Sequence, residues 1–453
     1  MSRVGRPLRI CFVAYRGNMR CGGQGVYLWF LARELTRLGH HVDVLVGPPY
    51  PDPMPFAGCV QHLPNEQFWA KWFHKDRHAV LPRPNPLRIF SPLNFYEFAS
   101  SRLGFLPEPF AFSLRAFGAL AARVREGTRY DIVHDVQCLG YGILGIRALG
   151  LPVVTTVHHP LTVDRRASFV RDETFTDARG TMAFYPVGMQ SLVARRIERV
   201  FTSSAASAGQ IARDFGVAEQ RIAMVANGVA TDVYCPDPGV ERSSNEILCV
   251  GRASDPNKGI RTLIEALARL PESVQLTLVD DDHPDNSARK RAAELGCAER
   301  LQITGRVPGD QLLHLYRRAT LVAVPSRYEG FGLPAAEAMA CGTPVVASAA
   351  GALPEVLRTG GGGVLVAPDD PEALAAGMRA LLDRPEQRAE LGRRGRKGIT
   401  AAYSWPRVAE ATASVYADVV ARWAASRGRP TSITTSASEG MLRARRSSPS
   451  RQT

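Results

Sequence analysis

The chain has no Cys-x-x-Cys pair and no regular cysteine spacing: Cys11, Cys21, Cys59, Cys138, Cys235, Cys249, Cys297 and Cys341 are scattered along it. This excludes a disulfide framework and suits free thiols in a reducing cytoplasm. There is also no run of eighteen apolar residues, so no segment reads as a membrane-spanning helix. The apolar run ICFVAY, preceded by Arg3, Arg6 and Arg9, stops at Arg16 and is too short for a signal-peptide core. Acidic residues are the scarcer sign, 43 against 56 basic, for a net charge of +13. That balance is compatible with nucleic acid, an anionic membrane surface or phosphorylated small molecules as partners. No helix-turn-helix, zinc-finger or RNP-type pattern is present, so a basic nucleic-acid-binding protein rests on charge alone and no nucleic acid is expected. Part of the excess lies in the Ser-, Thr- and Arg-rich stretch ASRGRPTSITTSASEGMLRARRSSPSRQT, which lacks apolar periodicity and reads as a disordered basic tail.

What is present suffices for two cores. The length of 453 residues, 45% of them apolar, exceeds the size at which one core usually keeps growing. Residues 8–47, LRICFVAYRGNMRCGGQGVYLWFLARELTRLGHHVDVLVG, divide into an apolar strand, a glycine-rich turn, a helix and a second strand. Leu28, Leu31, Leu35 and Leu38 recur at helical spacing and Gly39 supplies the stop. Residues 246–280 repeat the plan, with Leu263, Ile264, Leu267 and Leu270 on the helix. Further strands are predicted at YDIVHDV, LPVVTTVHH and RVFTSS, then at RLQITGRV, ATLVAVPS and TPVVAS, apolar on both faces as in a sheet covered by helices. The Pro-, Gly- and Ser-rich VATDVYCPDPGVERSSN reads as a connector, with a boundary near Pro236 to Ser244. The expected fold class is α/β, with two facing Rossmann-like doubly wound parallel-sheet domains and ligands beyond the carboxyl ends of the strands.

Three places in this frame carry chemistry. Gly22, Gly23 and Gly25 open the first helix, where backbone amides and the helix dipole suit a phosphate; the plain alternative is a turn that only needs glycine. A dinucleotide fingerprint wants an acidic residue closing the second strand, and here Asp43 lies inside VDVLVG, which argues against a dehydrogenase. In GRASDPNKG, Arg252 follows a strand end and Lys258 precedes a helix; they form either a diphosphate clamp or a solvated basic loop. In EGFGLPAAE, strand ATLVAVPS is expected to end at Ser326, Glu329-Gly330-Phe331-Gly332 to form the turn, and Pro334 to sit near the first helical position. Glu337 then lies about one turn into the helix. The two carboxylates can accept hydrogen bonds from the two ends of an extended polyhydroxylated ligand, with Gly330 and Gly332 letting amides approach between them. Singly, Glu329 reads as a loop residue and Glu337 as an acid near a helix N-terminus; together with Arg252 and Lys258 they read as a nucleotide-sugar site.

These residues resemble the retaining nucleotide-sugar glycosyltransferases with two facing Rossmann-like domains (GT-B, family 4-like), whose E-x7-E signature is matched by Glu329 and Glu337. The resemblance extends through GGQGVYLWFLARELTRLGHHVDV, TVHH, ANGV, VGR…NKG, ITGRVP, PSRYEGFGLPAAEAMACGTPVVAS and YSWPRVAE. It implies a hexosyltransferase with a C-terminal crossover helix, needing neither cofactor nor metal. It implies that Glu329 faces sugar hydroxyls, that Gly330, Phe331 and Gly332 seat the sugar, and that Glu337 holds the ribose. Arg252 and Lys258 then bind the diphosphate, helped by Gly22, Gly23 and Gly25, and His158 or His159 lies near the reacting sugar. The donor is a UDP-, GDP- or ADP-linked sugar and the acceptor a hydroxyl. The expected organisation is residues 1–236 on the acceptor side, 245–405 on the donor side, 406–425 as the returning helix and 426–453 as the tail. Two departures stand out: Asp280-Asp281-Asp282 replaces a glycine-containing turn, and Ala230-Thr231 follows ANGV where relatives carry an acid. A nucleotide-sugar epimerase or a phosphorylase on the same architecture is the competing enzyme class.

The acceptor side offers residues 67–117, in which aromatic and basic side chains interleave. Trp69, Trp72 and Phe73 with Lys71, Lys75 and Arg77 fit a membrane interface, an aromatic lid over a soluble acceptor, or plain packing. A lipid or lipid-linked acceptor is favoured, which places the enzyme in the cytoplasm at the inner face of an anionic membrane. Residues 163–180, dense in both charges, either border the acceptor pocket or form a solvated loop.

Overall fold

The computed structural model describes residues 6–19, 23–66, 68, 85–158, 160–169 and 186–428. One sheet is made by β1 (Arg9–Ala14), β2 (His41–Val46), β3 (Cys59–His62), β4 (Ile132–Val136), β5 (Val153–Thr156), β6 (Arg199–Thr202) and β7 (Ile222–Met224), in the order β3-β2-β1-β4-β5-β6-β7. The other is made by β8 (Glu246–Val250), β9 (Gln275–Val279), β10 (Leu301–Ile303), β11 (Leu321–Val324), β12 (Val345–Ser348) and β13 (Gly363–Val366), in the order β10-β9-β8-β11-β12-β13. All strand pairs are parallel.

The doubly apolar strands are explained by what covers them. On one face of the first sheet, Ile10 and Phe12 join a cluster with Leu28, Leu31 and Leu35 of the helix Gly23–Arg37; on the other, Cys11 and Val13 join one with Phe112 and Leu120 of the helix Glu108–Arg125. In the second sheet, Ile247 and Cys249 share a cluster with Leu263 and Leu267, and Leu248 shares another with Ala335 and Met339. Each fully buried leucine contributes roughly 1.5–3 kcal/mol relative to exposure.

Three strands carry no clear pattern in the sequence. β3 (CVQH), β7 (IAM) and β13 (GVLV) are short edge strands and remain partly exposed, so they lack the continuous apolar run of an interior strand. β11 ends at Val324 rather than at Ser326, because Pro325 has no N–H to continue the ladder. Within residues 163–180, the stretch through Phe169 belongs to a helix, Leu161–Phe169, rather than to a loop. Its Thr162 and Arg166 both donate to Asp214 of a neighbouring helix, Arg166 at 2.8 Å.

The helix Trp405–Gly428 returns to the first sheet. Trp405 stacks on Phe30 with centroids 5.4 Å apart, and Trp423 Nε1 donates to the Gly150 carbonyl at 3.3 Å. Deepest is Tyr416, fully buried, whose hydroxyl meets His134 Nδ1 while His134 Nε2 bonds Thr156 Oγ1 at 2.7 Å. Burial pushes the His134 imidazole down to about 3, so it is neutral in this network.

Candidate active site

Strand order reverses between β1 and β4 in the first sheet and between β8 and β11 in the second, and loops leaving neighbouring strands on the two sides of such a point open a crevice. In the second sheet Leu321 of β11 lies opposite Ile247 of β8, so the loops that follow these strands meet. After β8, Asp255 accepts from the Asn257 amide at 2.9 Å and closes a tight turn at Pro256–Lys258. Gly259 follows with φ of 62°; a Cβ there would stand 2.0 Å from the Pro325 carbonyl oxygen, so only glycine lets the two loops dock this closely. The Asn257 carbonyl in turn accepts from the Arg327 amide at 2.8 Å.

This docking sets Lys258 Nζ 2.7 Å from Glu329 Oε1, which Ser326 Oγ also approaches at 2.9 Å. Glu329 is 9% exposed, so it is not a surface loop residue. Burial works to lower the Lys258 ammonium, but the Glu329 carboxylate outweighs it and holds the group above its ordinary value, charged. Arg252 is exposed at the end of β8, close enough for its charge to act on Lys258. Among the Asp280-Asp281-Asp282 run, Asp280 organises its own loop, accepting from the Ala253 and Asp281 amides at 2.8 Å each. The run thus ties the β9 loop to the one bearing Arg252.

The turn after Glu329 is held from beneath. The Glu329 carbonyl accepts from the Ala352 amide at 2.9 Å, and Gly351, with φ of 55°, packs so tightly that a Cβ would lie 2.4 Å from that carbonyl oxygen. Phe331 is a core plug, its ring edge-on to Tyr403 at 5.3 Å, and Gly332 (φ 92°) caps the helix Leu333–Ala340. Among the described residues, the N–H groups of Gly330, Phe331 and Gly332 donate to no protein acceptor. Three consecutive donors beside a lysine and a carboxylate can bind an oxygen-rich, anionic ligand.

Glu337, on that helix, is held separately from the Lys258–Glu329 pair. Tyr316 Oη donates to Glu337 Oε2 at 2.9 Å and Tyr234 also hydrogen-bonds it. Burial pushes this carboxyl up to about 7, the two tyrosine hydroxyls pulling the other way. It is therefore balanced between an acceptor-only carboxylate and an acid that can donate.

From the first domain, the helix Gly23–Arg37 points its first residue at this place: a Cβ on Gly23 would be 3.7 Å from Leu333 Cδ1, so two helix N-termini converge across the crevice. Gly25 is a close-approach glycine, where a Cβ would stand 2.2 Å from the Asn18 carbonyl oxygen. Gly22 and His159 lie outside the described residues. The His158 ring meets Tyr27 edge-on at 4.9 Å, and its amide donates to Gln137 Oε1 at 2.9 Å. Gln137 and Leu139 have φ of 54° and 51°, a strained loop for residues with side chains. Asp135 pins it, accepting from the Cys138 and Leu139 amides at 3.2 and 3.0 Å and from Thr155 Oγ1 at 2.7 Å. The one sequence signal for this loop was an aspartate at the end of the apolar strand YDIVHDV. Tyr234, Tyr316, Ser326 and Gly351 gave none, because each acts on a residue brought to it by the fold. Among the described residues, no group of three or more His, Cys, Asp or Glu side chains could hold a metal ion, and no helix is long and apolar enough to cross a membrane.

Comparison with known proteins agrees with this architecture. Residues 21–233 match the family model described as Glycosyltransferase Family 4, and residues 236–398 match that described as Glycosyl transferases group 1. The chain is 38% identical over 421 residues to the MMP α-(1→4)-mannosyltransferase of Mycolicibacterium hassiacum, covering 92% of this chain and 100% of that one. It is 31% identical over 444 residues to the D-inositol 3-phosphate glycosyltransferase of Acidothermus cellulolyticus, covering 92% and 91%. Sucrose-phosphate synthase from Thermosynechococcus elongatus shares the fold with a TM-score of 0.66 at 23% identity, over 91% of this chain and 100% of that one. The Anabaena protein HepE, solved in complex with UDP-glucose, does so with 0.64 at 20% identity, over 91% and 100%. Its two parallel sheets, its returning helix and these relatives together establish that the chain belongs to the GT-B glycosyltransferases of the family 4 type.

Proposed function

We propose that the enzyme transfers a hexosyl group from a nucleotide-diphosphate sugar to a hydroxyl acceptor, with retention of configuration and without a metal. The observation that carries this reading is the row of amides at Gly330, Phe331 and Gly332, which donate to no acceptor among the described residues, beside the Lys258–Glu329 pair at the carboxyl ends of β8 and β11. In this reading Lys258 and Arg252 take the diphosphate, and the amides with Glu329 take the sugar hydroxyls. The Glu337 carboxylate accepts from the ribose, and the helix N-terminus at Gly22, Gly23 and Gly25 approaches the phosphates from the first domain. His158 stands at the reacting sugar.

As the bond from the anomeric carbon to the phosphate oxygen lengthens, negative charge grows on the leaving diphosphate. Two fixed cations stabilise it without reorganisation. The acceptor oxygen approaches on the same face, and the departing phosphate takes its proton, so no enzyme nucleophile is required. Glu329, neutralised by Lys258, is suited to orient hydroxyls rather than to attack. Mannose is the sugar we infer, from the 38% identical mannosyltransferase; an α-(1→4) product formed from an α-linked nucleotide donor is a retained one.

For the acceptor, we infer a glycan hydroxyl carried on a lipid. Trp69, Lys71, Trp72, Phe73, Lys75 and Arg77 lie outside the described residues, but the part of the segment that is described exposes Leu87, Phe90, Phe95, Leu103 and Phe105. These support an apolar ligand or contact with an anionic membrane, which would hold the enzyme at the membrane's cytoplasmic face.

A thermal-shift series with UDP-, GDP- and ADP-linked mannose and glucose tests the donor, since a bound donor raises the midpoint in proportion to its affinity. Free nucleotide should then appear only when acceptor is added, EDTA should leave the rate unchanged, and the product should show the donor's anomeric configuration by NMR. Isomerised donor without acceptor, or dependence on inorganic phosphate, would contradict transfer. Flotation with anionic vesicles tests the membrane contact.

A further inference from the structure

The carbonyl of Gly330, in the middle of the turn that carries Glu329, is gripped by the other domain. Ser204 Oγ donates to it at 2.8 Å and Ser203 Oγ at 3.0 Å, and Ser207 Oγ lies 3.3 Å away. All three serines are buried. Ser203 and Ser204 form the corner between β6 and the helix Ala205–Phe215, and Ser207 lies in that helix's first turn; Ser204 is also the N-cap, accepting from the Ser207 amide at 3.1 Å. The next two amides on this corner, Ala205 and Ala206, donate to Glu355 Oε2 and Oε1 at 2.9 and 3.1 Å. Glu355 belongs to the helix Leu353–Gly360 of the second domain, so its carboxylate meets the positive end of a first-domain helix. Two hydroxyls and two amides within the four consecutive residues 203–206, together with the longer contact from Ser207 Oγ, thus cross from the first domain to the second. Water could satisfy each of these groups if the domains stood apart.

The peptide joining Gly330 to Phe331 is trans, so its N–H points opposite to its carbonyl. Anchoring the oxygen on two serines therefore fixes the direction of the Phe331 N–H, which donates to no protein acceptor among the described residues. We propose that Ser203 and Ser204 are positioning residues: from the first domain they aim the Phe331 amide at the transferred sugar, and Glu355 latches the closed arrangement in which they reach it. Recognition of the sugar is thereby coupled to domain closure, while the nucleotide can bind the second domain alone. This inference rests on the donor reading of the turn given above.

The test compares wild type with the Ser203→Ala/Ser204→Ala double variant, using whichever of UDP-, GDP- and ADP-linked mannose or glucose wild type consumes, and the matching free nucleotide diphosphate. Losing two hydrogen bonds to one peptide is expected to lower kcat/KM for the donor about tenfold. The Kd of the sugar-free diphosphate should change less than about twofold, a split that a merely structural role would not produce. Ser204→Thr keeps both the hydroxyl and the cap and should restore most of the activity. Ser203 caps no helix, so Ser203→Ala alone carries the test if the double variant does not fold; about threefold is expected, with the same split. Unchanged kcat/KM, or equal weakening of the sugar-bearing and sugar-free nucleotides, overturns the inference and leaves the donor reading standing. A wild-type enzyme that consumes none of these donors overturns the donor reading and this inference with it.

Discussion

Glu337→Gln should stabilise the protein at neutral and alkaline pH and leave it unchanged near pH 4.5. The carboxyl is buried with only two hydroxyl donors, and its pKa rises from an ordinary 4.5 to about 7. Between those values the unfolded chain has released the proton while the folded chain still holds it, so rising pH favours unfolding. At about 1.36 kcal/mol per pH unit the rise from 4.5 to about 7 is worth about 3.4 kcal/mol, and because the residue as a whole is only half-buried, solvent screens this to roughly 1–2 kcal/mol. Glutamine keeps an oxygen to accept from Tyr316 and Tyr234 but carries no charge. Thermal midpoints of wild type and variant, measured from pH 4.5 to 8.5, should separate progressively up to about pH 7 and run parallel above it. The plateau difference should be about 2–8 °C for a domain of this size. A gap that stays constant across the range would show that the folded carboxyl titrates normally, and the description of Glu337 as a strained acid would be wrong.

Donor binding should follow the same ionisation: if the ribose donates to a Glu337 carboxylate, KM for the donor should fall as pH rises through about 7, and a KM independent of pH in this range would exclude that contact. Lys258→Met leaves the Glu329 carboxylate without its cation; turnover should drop by more than about a hundredfold, and stability by about 3 kcal/mol or more in urea unfolding. Glu329→Ala should abolish transfer while the circular dichroism spectrum is retained, and near-normal turnover in both variants would falsify the site. Gly351→Ala, at φ of 55° and with a Cβ 2.4 Å from the Glu329 carbonyl oxygen, should displace the turn that carries Glu329 and reduce kcat more than it lowers the midpoint. Tyr416→Phe leaves His134 Nδ1 buried without its hydroxyl, and should cost about 1–3 kcal/mol with little effect on turnover at permissive temperature.

Much of the fold was legible because its signals are local. The interior strands are short and apolar on both faces, Leu28, Leu31 and Leu35 mark the covered side of a helix, and all three are fully buried. The edge strands CVQH, IAM and GVLV were not legible, since a strand paired on one side and half-exposed has no distinctive composition. The helix Leu161–Phe169, which overlaps the start of the charged stretch 163–180, gives no helical signal because its charges conceal the pattern, and what holds it is Asp214, distant in sequence.

The sequence by itself determined the two βαβ frames, the glycines that permit tight turns, and the residue types able to hold a diphosphate and sugar hydroxyls, because strand and helix periods act over a few residues. Only the tertiary structure decided which of those residues meet. Lys258 and Glu329 are 71 positions apart, and Ser204 and Gly330 are 126 apart in different domains. Glu337 stands near a helix start in the sequence, and only the fold brings the Tyr234 and Tyr316 hydroxyls to it. Such pairings depend on strand order and on how two sheets face one another, which no short window of residues encodes.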